Sequence, residues 1–455
     1  MSTNTATQAP DVRRALGKNA RHTTRNYRLG VLAGLFAGTS RDFLHPELII
    51  AGLVYALTRS PVMVALVPII SKAGVFAPQL LVSTLVEHRP RRRPYFVMLT
   101  VARSLAMVAL LGTIWLLARG VTPLALTAFF TAYLLVCMCG GAGYVIFSDM
   151  VGRLIPPGRV GSFLGARTLL GGGLAIVTGM FIIQPTLSGV ELPWNYLLLA
   201  AIGTVLVVID MSTWCLCREE PGPRAESRSG IREALARGLD WLKKDHNYRC
   251  YLLSRVAFRI NYVGLAFFIP YGTERLGYES RMGGAAVLGG IMVATLKLST
   301  VLGGVVLGKV ADRHGSRKGL ILSGALMLSA PLLVLLAPLL PGVFELGLPG
   351  LEQGLDLPMV VYLLALACMG AGMRGNAMSG MRFLITSAPP ERRPTYVAFL
   401  NTITSPLTLL PLAGALLASL AGMTTLFTVI CAGGVLSVTA ALRMRPATRN
   451  GQPTA

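Results

Sequence analysis

The most constraining feature of this chain is the succession of long apolar stretches that runs from residue 29 to residue 442. They fall near 29–49, 61–86, 95–118, 122–147, 161–184, 194–216, 251–272, 284–308, 319–340, 358–384, 396–419 and 421–442. One passage through the hydrocarbon core of a bilayer takes about 20 mostly apolar residues. In lipid, an open chain satisfies its own backbone only as a helix. The expected fold class is an all-α membrane protein with twelve transmembrane helices. Composition agrees: only 14% of the 455 residues are charged, against about 25% in ordinary soluble domains. A water-soluble enzyme is therefore not expected, and the 50 glycines suit close helix packing in lipid.

Charge sets the orientation. The formal net charge is +22, which in a soluble protein points to nucleic acid. Here the basic residues sit in short connections between apolar stretches, so the positive-inside rule explains them and no nucleic-acid partner is expected. With the N-terminus in the cytoplasm, thirty Lys and Arg fall inside and four (Arg59, Arg119, Arg275, Arg281) fall outside. Both termini are then cytoplasmic. Trp115 and Trp194 mark the outer boundary and Trp214 the inner one, as an aromatic belt requires. Residues 1–28 are polar and basic with no signal-peptide core, so the first apolar stretch is expected to act as the insertion signal. The seven cysteines fall mostly in or beside apolar stretches and read as small packing residues.

The chain divides into a cytoplasmic arm (1–28), a six-helix bundle (29–217), a cytoplasmic linker (218–250), a second six-helix bundle (251–442) and a cytoplasmic tail (443–455). The linker opens on Glu219-Glu220-Pro221-Gly222-Pro223, which breaks a helix. After it, Ile231, Leu235, Leu239 and Leu242 recur at helical spacing among basic residues, predicting an amphipathic helix on the inner surface. The bundles read as repeats. Asn26-Tyr27-Arg28 recurs as Asn247-Tyr248-Arg249, Glu87–Arg93 matches Asp312–Lys318, and Pro156-Pro157-Gly158-Arg159 matches Pro389-Pro390-Glu391-Arg392. These pairs occupy corresponding connections in the same order, as a parallel duplication predicts.

Residues Gly308 to Lys318 read GKVADRHGSRK. This resembles the signature loop of the major facilitator superfamily, G-x-x-x-D-R-x-G-R-K/R-K/R, with Ser316 where a basic residue is usual and with Gly308 and Gly315 in register. The copy at Ser83 to Arg93 is degenerate: Ser83 replaces the glycine and Glu87 the aspartate. The resemblance implies a two-domain transporter with a central cavity, opening alternately to each side. It also implies that Asp312, Arg313, Arg317 and Glu87 brace the cytoplasmic end in one state. The Pro-Pro-x-Arg stretches and Ala77-Pro78-Gln79 look like a bacterial branch of the superfamily, which implies a bacterial inner membrane.

Ionisable groups inside a span are costly and are functional hypotheses by default. The basic ones are Arg41, Lys72, Arg103, Arg167, Arg255, Arg259, Lys297 and Arg374; the acidic ones are Asp42 and, near the outer end, Glu47. Arg103, Arg167 and Arg255 lie within a few turns of the inner side and can snorkel. At 1.5 Å per residue, Lys72 and Asp42 both lie roughly 21–22 Å from the inner boundary. They can pair there, either as a proton-coupling switch or as a fixed structural pair. Lys297 is the counterpart of Lys72 in the second copy, with Glu274 the nearest acid by topology but further out. The basic excess predicts a cavity for an anion or zwitterion, lined by Lys72, Arg259, Lys297, Arg374, Asn376 and Asn401, with Asp42 and Glu47 as coupling candidates.

No phosphate-cradling G-x-x-x-x-G-K-[ST] and no paired Cys/His metal spacing appear. No cofactor or metal is expected. The expectation is a monomeric secondary transporter of a small anionic or amphiphilic solute, with protons as a candidate coupling ion. Two alternatives stand: a sensor or membrane assembly factor on the same scaffold, and an exporter of drugs, metabolites or iron chelates.

Overall fold

The computed structural model describes residues 8–222, 230–268, 271–272, 285–342, 345–346 and 355–445. Apart from a two-residue antiparallel pair, β1 (Glu345–Leu346) with β2 (Leu355–Asp356), its regular structure is helical. The helices are α1 (Gln8–Phe43), α2 (Ala51–Thr58), α3 (Pro61–Val86), α4 (Arg93–Arg119), α5 (Pro123–Leu154), α6 (Val160–Thr178), α7 (Gln184–Gly189) and α8 (Trp194–Cys215). There follow α9 (Ile231–Lys244), α10 (His246–Val263), α11 (Ala285–Leu336), α12 (Leu357–Ser387), α13 (Arg393–Thr404) and α14 (Leu410–Leu442).

Local chemistry sets the ends. Ser60, Thr122 and Asp356 cap α3, α5 and α12 by accepting from Met63, Ala125 and Met359 N–H groups, each with a proline in the first turn. Such a proline loses no helical hydrogen bond and presets φ. The apolar pattern predicts one span over 29–49, but Pro46 breaks it. The residue before a proline avoids helical backbone, so α1 stops at Phe43 and a short π-helical turn, Pro46–Ile50, leads into α2. Two glycines turn the chain inside α11 and α14: Gly315 (φ 87°, ψ 162°) and Gly422 (φ 84°, ψ 161°). That region is open essentially to glycine alone.

The outer faces are apolar. Leu124 is 81% exposed, Phe181 72% and Leu420 77%, which suits lipid rather than water. Among the described residues, eight helical stretches are long and apolar enough to cross a membrane. Glycine lets backbones meet: a Cβ on Gly38 of α1 would lie 2.7 Å from the Gly171 Cα of α6. The chain forms two compact units. The first is Met1–Ser229 together with the short segment Pro389–Thr395; the second is Gly230–Ala388 and Tyr396–Ala455. In the first, α1 packs on α6 and α8, and α5 on α3 and α4. In the second, α11 packs on α12 and α14, and α10 on α14. The core of the second unit holds Phe258, Phe268, Tyr271, Tyr362 and Phe427.

Candidate functional site

The densest polar chemistry of the first unit lies where its helices end on the basic side. The α3–α4 connection is only six residues long and carries four arginines through the first residue of α4. Arg91 and Arg93 are exposed, whereas the Arg92 side chain is buried and folds back to the end of α3. There its guanidinium donates to the Val86 and Arg89 carbonyls, and its Nε donates to Asp149 Oδ2 of α5 at 2.6 Å. Both side chains are fully buried. Arg153, one turn further along α5, donates to the same oxygen at 2.9 Å. Glu219, beyond α8, accepts the Arg92 and Arg93 backbone N–H groups at 2.8 and 2.7 Å, a carboxylate on the positive end of the α4 dipole. Burial lowers the affinity of the Arg92 guanidinium for its proton, and Asp149 opposes that.

The segment Pro389–Thr395 completes the cluster. Arg392 donates to Glu87 Oε1 at 2.7 Å and Thr395 Oγ1 to Glu87 Oε2 at 2.5 Å. Arg393 Nη1 lies 3.6 Å from Asp149 Oδ1. Glu87 is fully buried. Two buried carboxylates thus hold four arginines through charge-assisted contacts. The arrangement carries no nucleophile–base pair. Chemically it is a clasp: parting it would mean separating buried charges.

The second unit treats its own loop differently. Asp312 pairs with Arg382 of α12 at 3.4 Å, and Arg382 also donates to Ser316 Oγ at 3.3 Å. Gly315 supplies the turn; Arg317 then donates to the Leu442 carbonyl at 2.8 Å, a cation at the carbonyl end of α14. Arg313 is exposed and Gly308 is buried.

The repeated Asn-Tyr-Arg triplets find a shared role. Asn26 grips the backbone of Arg218 by two hydrogen bonds of 2.9 and 3.0 Å. Asn247 grips Arg445 in the same way, at 3.3 and 2.7 Å. Asn26 thus ties α1 to the chain leaving α8, and Asn247 ties α10 to the chain leaving α14.

The membrane-level candidates are placed as follows. Lys72 on α3 and Lys297 on α11 are exposed; Arg259 on α10 and Arg374 on α12 are partly buried; Asn376 is buried. Asp42 sits in the last turn of α1 and makes no ion pair with Lys72 among the described residues. Equal depth on two helices leaves the rotation of each about its axis free. The Glu47 side chain, Glu274, Arg275 and Arg281 lie outside the described residues. Asn401 is buried and accepts from Arg255 at 2.7 Å. Arg167 donates to the Gly30 carbonyl and lies over the rings of Phe147, Phe163 and Trp214. Arg167 and Arg255 therefore donate to acceptors within their own units, and Arg167 also faces aromatic rings.

Sequence reasoning missed Asp149, Arg92, Arg153, Arg382, Arg393 and Thr395 as parts of these clusters. The repeated Pro-Pro-x-Arg stretches were the available signal for the 389–395 segment. Asp149 and Arg153, four apart at the end of a span, were the signal for α5. Asp210 on α8 was also missed. Its Oδ1 is buried with no hydrogen-bond partner among the described residues, and Arg167, Arg103 and Arg41 are the charges acting on it. No His/Cys/Asp/Glu group suited to a metal occurs among the described residues.

The model of the Major Facilitator Superfamily matches residues 30–403 and 298–455. No curated protein matches by sequence. Among solved structures, a bacterial homologue of the iron transporter ferroportin, outward-facing, is similar at TM-score 0.69 and 16% identity, over 92% of this chain and 99% of that one. The fucose:proton symporter of E. coli gives 0.64 and 14%, over 93% and 98%. The human organic anion transporter MFSD10 gives 0.61 and 16%, over 93% and 99%.

Proposed function

Because this chain belongs to the Major Facilitator Superfamily, we propose that it is a secondary active transporter moving a small anionic or amphiphilic solute by alternating access. Twelve passages are part of the proposal. Two of the eight apolar stretches turn at Gly315 and Gly422 and count twice, and α1–α2 and α10 supply the others. The matching Asn26 and Asn247 clamps support two copies of one six-helix unit.

One observation carries the transport reading: the clasp of Glu87 and Asp149 on Arg392, Arg393 and Thr395. A static scaffold gains little from burying charges, since apolar residues of similar volume are often as stable or more so. A device that must open and reclose gains a discrete, reversible contact. The solute's sign is argued from charge. Arg41, Lys72, Arg259, Lys297 and Arg374 outnumber Asp42, Glu47 and Asp210 within the spans. Basic side chains at that depth favour carboxylate or phosphate. The fold likeness reaches proteins named for iron, fucose and organic anions alike, so it does not choose among substrates.

The test is uptake and counterflow in proteoliposomes against organic anions, sugars and iron chelates. Lys297→Ala and Arg259→Ala are expected to cut anion flux at least about tenfold, the value of about 1.4 kcal/mol from a charge-assisted contact. Flux unchanged in both variants for every accepted anion overturns the anion reading. For coupling, Asp42→Asn and Asp210→Asn are expected to alter the pH profile; identical profiles remove the residue concerned.

A further inference from the structure

We propose that α9 is a second lipid contact of this protein, an interfacial helix that binds the anionic headgroups of the cytoplasmic leaflet. The inference needs the chain to span a membrane with its central connection inside, and it does not depend on which solute is carried.

Among the described residues, the helix is docked on one side. Ala234 and Gly238 are buried, and a Cβ on Gly238 would strike the Phe399 ring of α13. The Trp241 ring packs tilted against Tyr396, with centroids 5.2 Å apart. This fixes the rotation of α9 on the second unit. Asp245 then ends α9 and caps α10, accepting from Tyr248 N–H at 3.0 Å, so no slack separates the helix from a spanning one.

Once docked, a stripe is left outward. Ile231 is 44% exposed, Leu235 37% and Leu239 51%. At about 100° per residue, these three with Leu242 cover about 80° of the helix, beside the docked face. Charge is sorted around that stripe. Arg232 and Lys243 flank its free edge, about 20–40° beyond Leu239, and both are exposed. Glu233 and Asp240 lie about 100–120° beyond it. Each acid is held by the basic residue four positions on: Arg237 at 3.8 Å and Lys244 at 2.9 Å. Arg232 and Lys243 make no ion pair among the described residues. The apolar stripe is therefore bordered by two cations, while both anions are turned away and neutralised. That pattern fits acyl chains beneath the stripe and headgroup phosphates beside Arg232 and Lys243.

The experiment is hydrogen exchange of residues 231–244 in the full-length protein, held in nanodiscs of phosphatidylcholine alone or mixed with phosphatidylglycerol. Exchange is expected to slow in the mixed discs by roughly fivefold per basic side chain, the attraction of one Lys or Arg to an anionic surface. Arg232→Glu/Lys243→Glu should abolish that difference while α10 exchanges as in the parent; Arg232→Lys should keep it. Equal exchange in both discs overturns the proposal. So does slowing that survives charge reversal, which would mean that another part of the protein covers the stripe.

Discussion

Replacing Asp149 by Asn tests the clasp most directly. The substitution keeps shape and removes the charge that faces Arg92 at 2.6 Å and Arg153 at 2.9 Å. Removing one partner of a buried pair costs about 3–5 kcal/mol, because the other charge is left uncompensated. Arg92 is 0% exposed, so water cannot take over. It keeps its carbonyl acceptors at Val86, Glu87 and Arg89, which places the loss at the lower end, about 3 kcal/mol. For a unit of this size that is a fall of about 6–12 °C in Tm. The assay is thermal unfolding in detergent, followed by a thiol-reactive fluorophore that reports exposure of the buried Cys137, Cys217 and Cys250. Arg92→Met/Asp149→Asn should be less damaging than the two singles added together, with a coupling of about 1–3 kcal/mol. A shift under about 2 °C for Asp149→Asn, or two single losses that simply add, would refute the reasoning.

Further outcomes are expected. Arg392→Ala should destabilise more than Glu87→Gln in the same assay, about 3–5 against about 1–2 kcal/mol. The first strands a fully buried carboxylate, the second an arginine still 23% exposed. Asn26→Ala should cost about 2–3 kcal/mol and Asn247→Ala about 1, since Asn26 is 3% exposed and Asn247 is only partly buried. Gly315→Ala and Gly422→Ala should each cost about 1–3 kcal/mol, although a Cβ at either meets nothing within 4 Å; a neutral result would show that the backbone there is not strained. Cys217, whose thiol burial pushes up to about 12, should stay unlabelled by maleimide at pH 8 in the folded protein, read by mass spectrometry.

The sequence by itself determined that this is a helical membrane protein of the Major Facilitator Superfamily. It also located the helix at 231–244 and the repeated triplets. Those properties are one-dimensional: the length of an apolar stretch, the period of a stripe and the order of a motif are all read along the chain. Which acid meets which base was decided only in three dimensions. Glu87 lies 305 residues from Arg392, and no periodicity links them. Depth could be counted for Asp42 and Lys72, but the rotation of their helices could not. Asp312 shows the same limit: its signature loop was legible, yet its observed partner, Arg382, stands on another helix because packing brings α12 beside α11. The physical reason is common to all three. In a low-dielectric interior a charge is stabilised by whichever neighbour can be desolvated with it, and only the packed helices decide which neighbour that is.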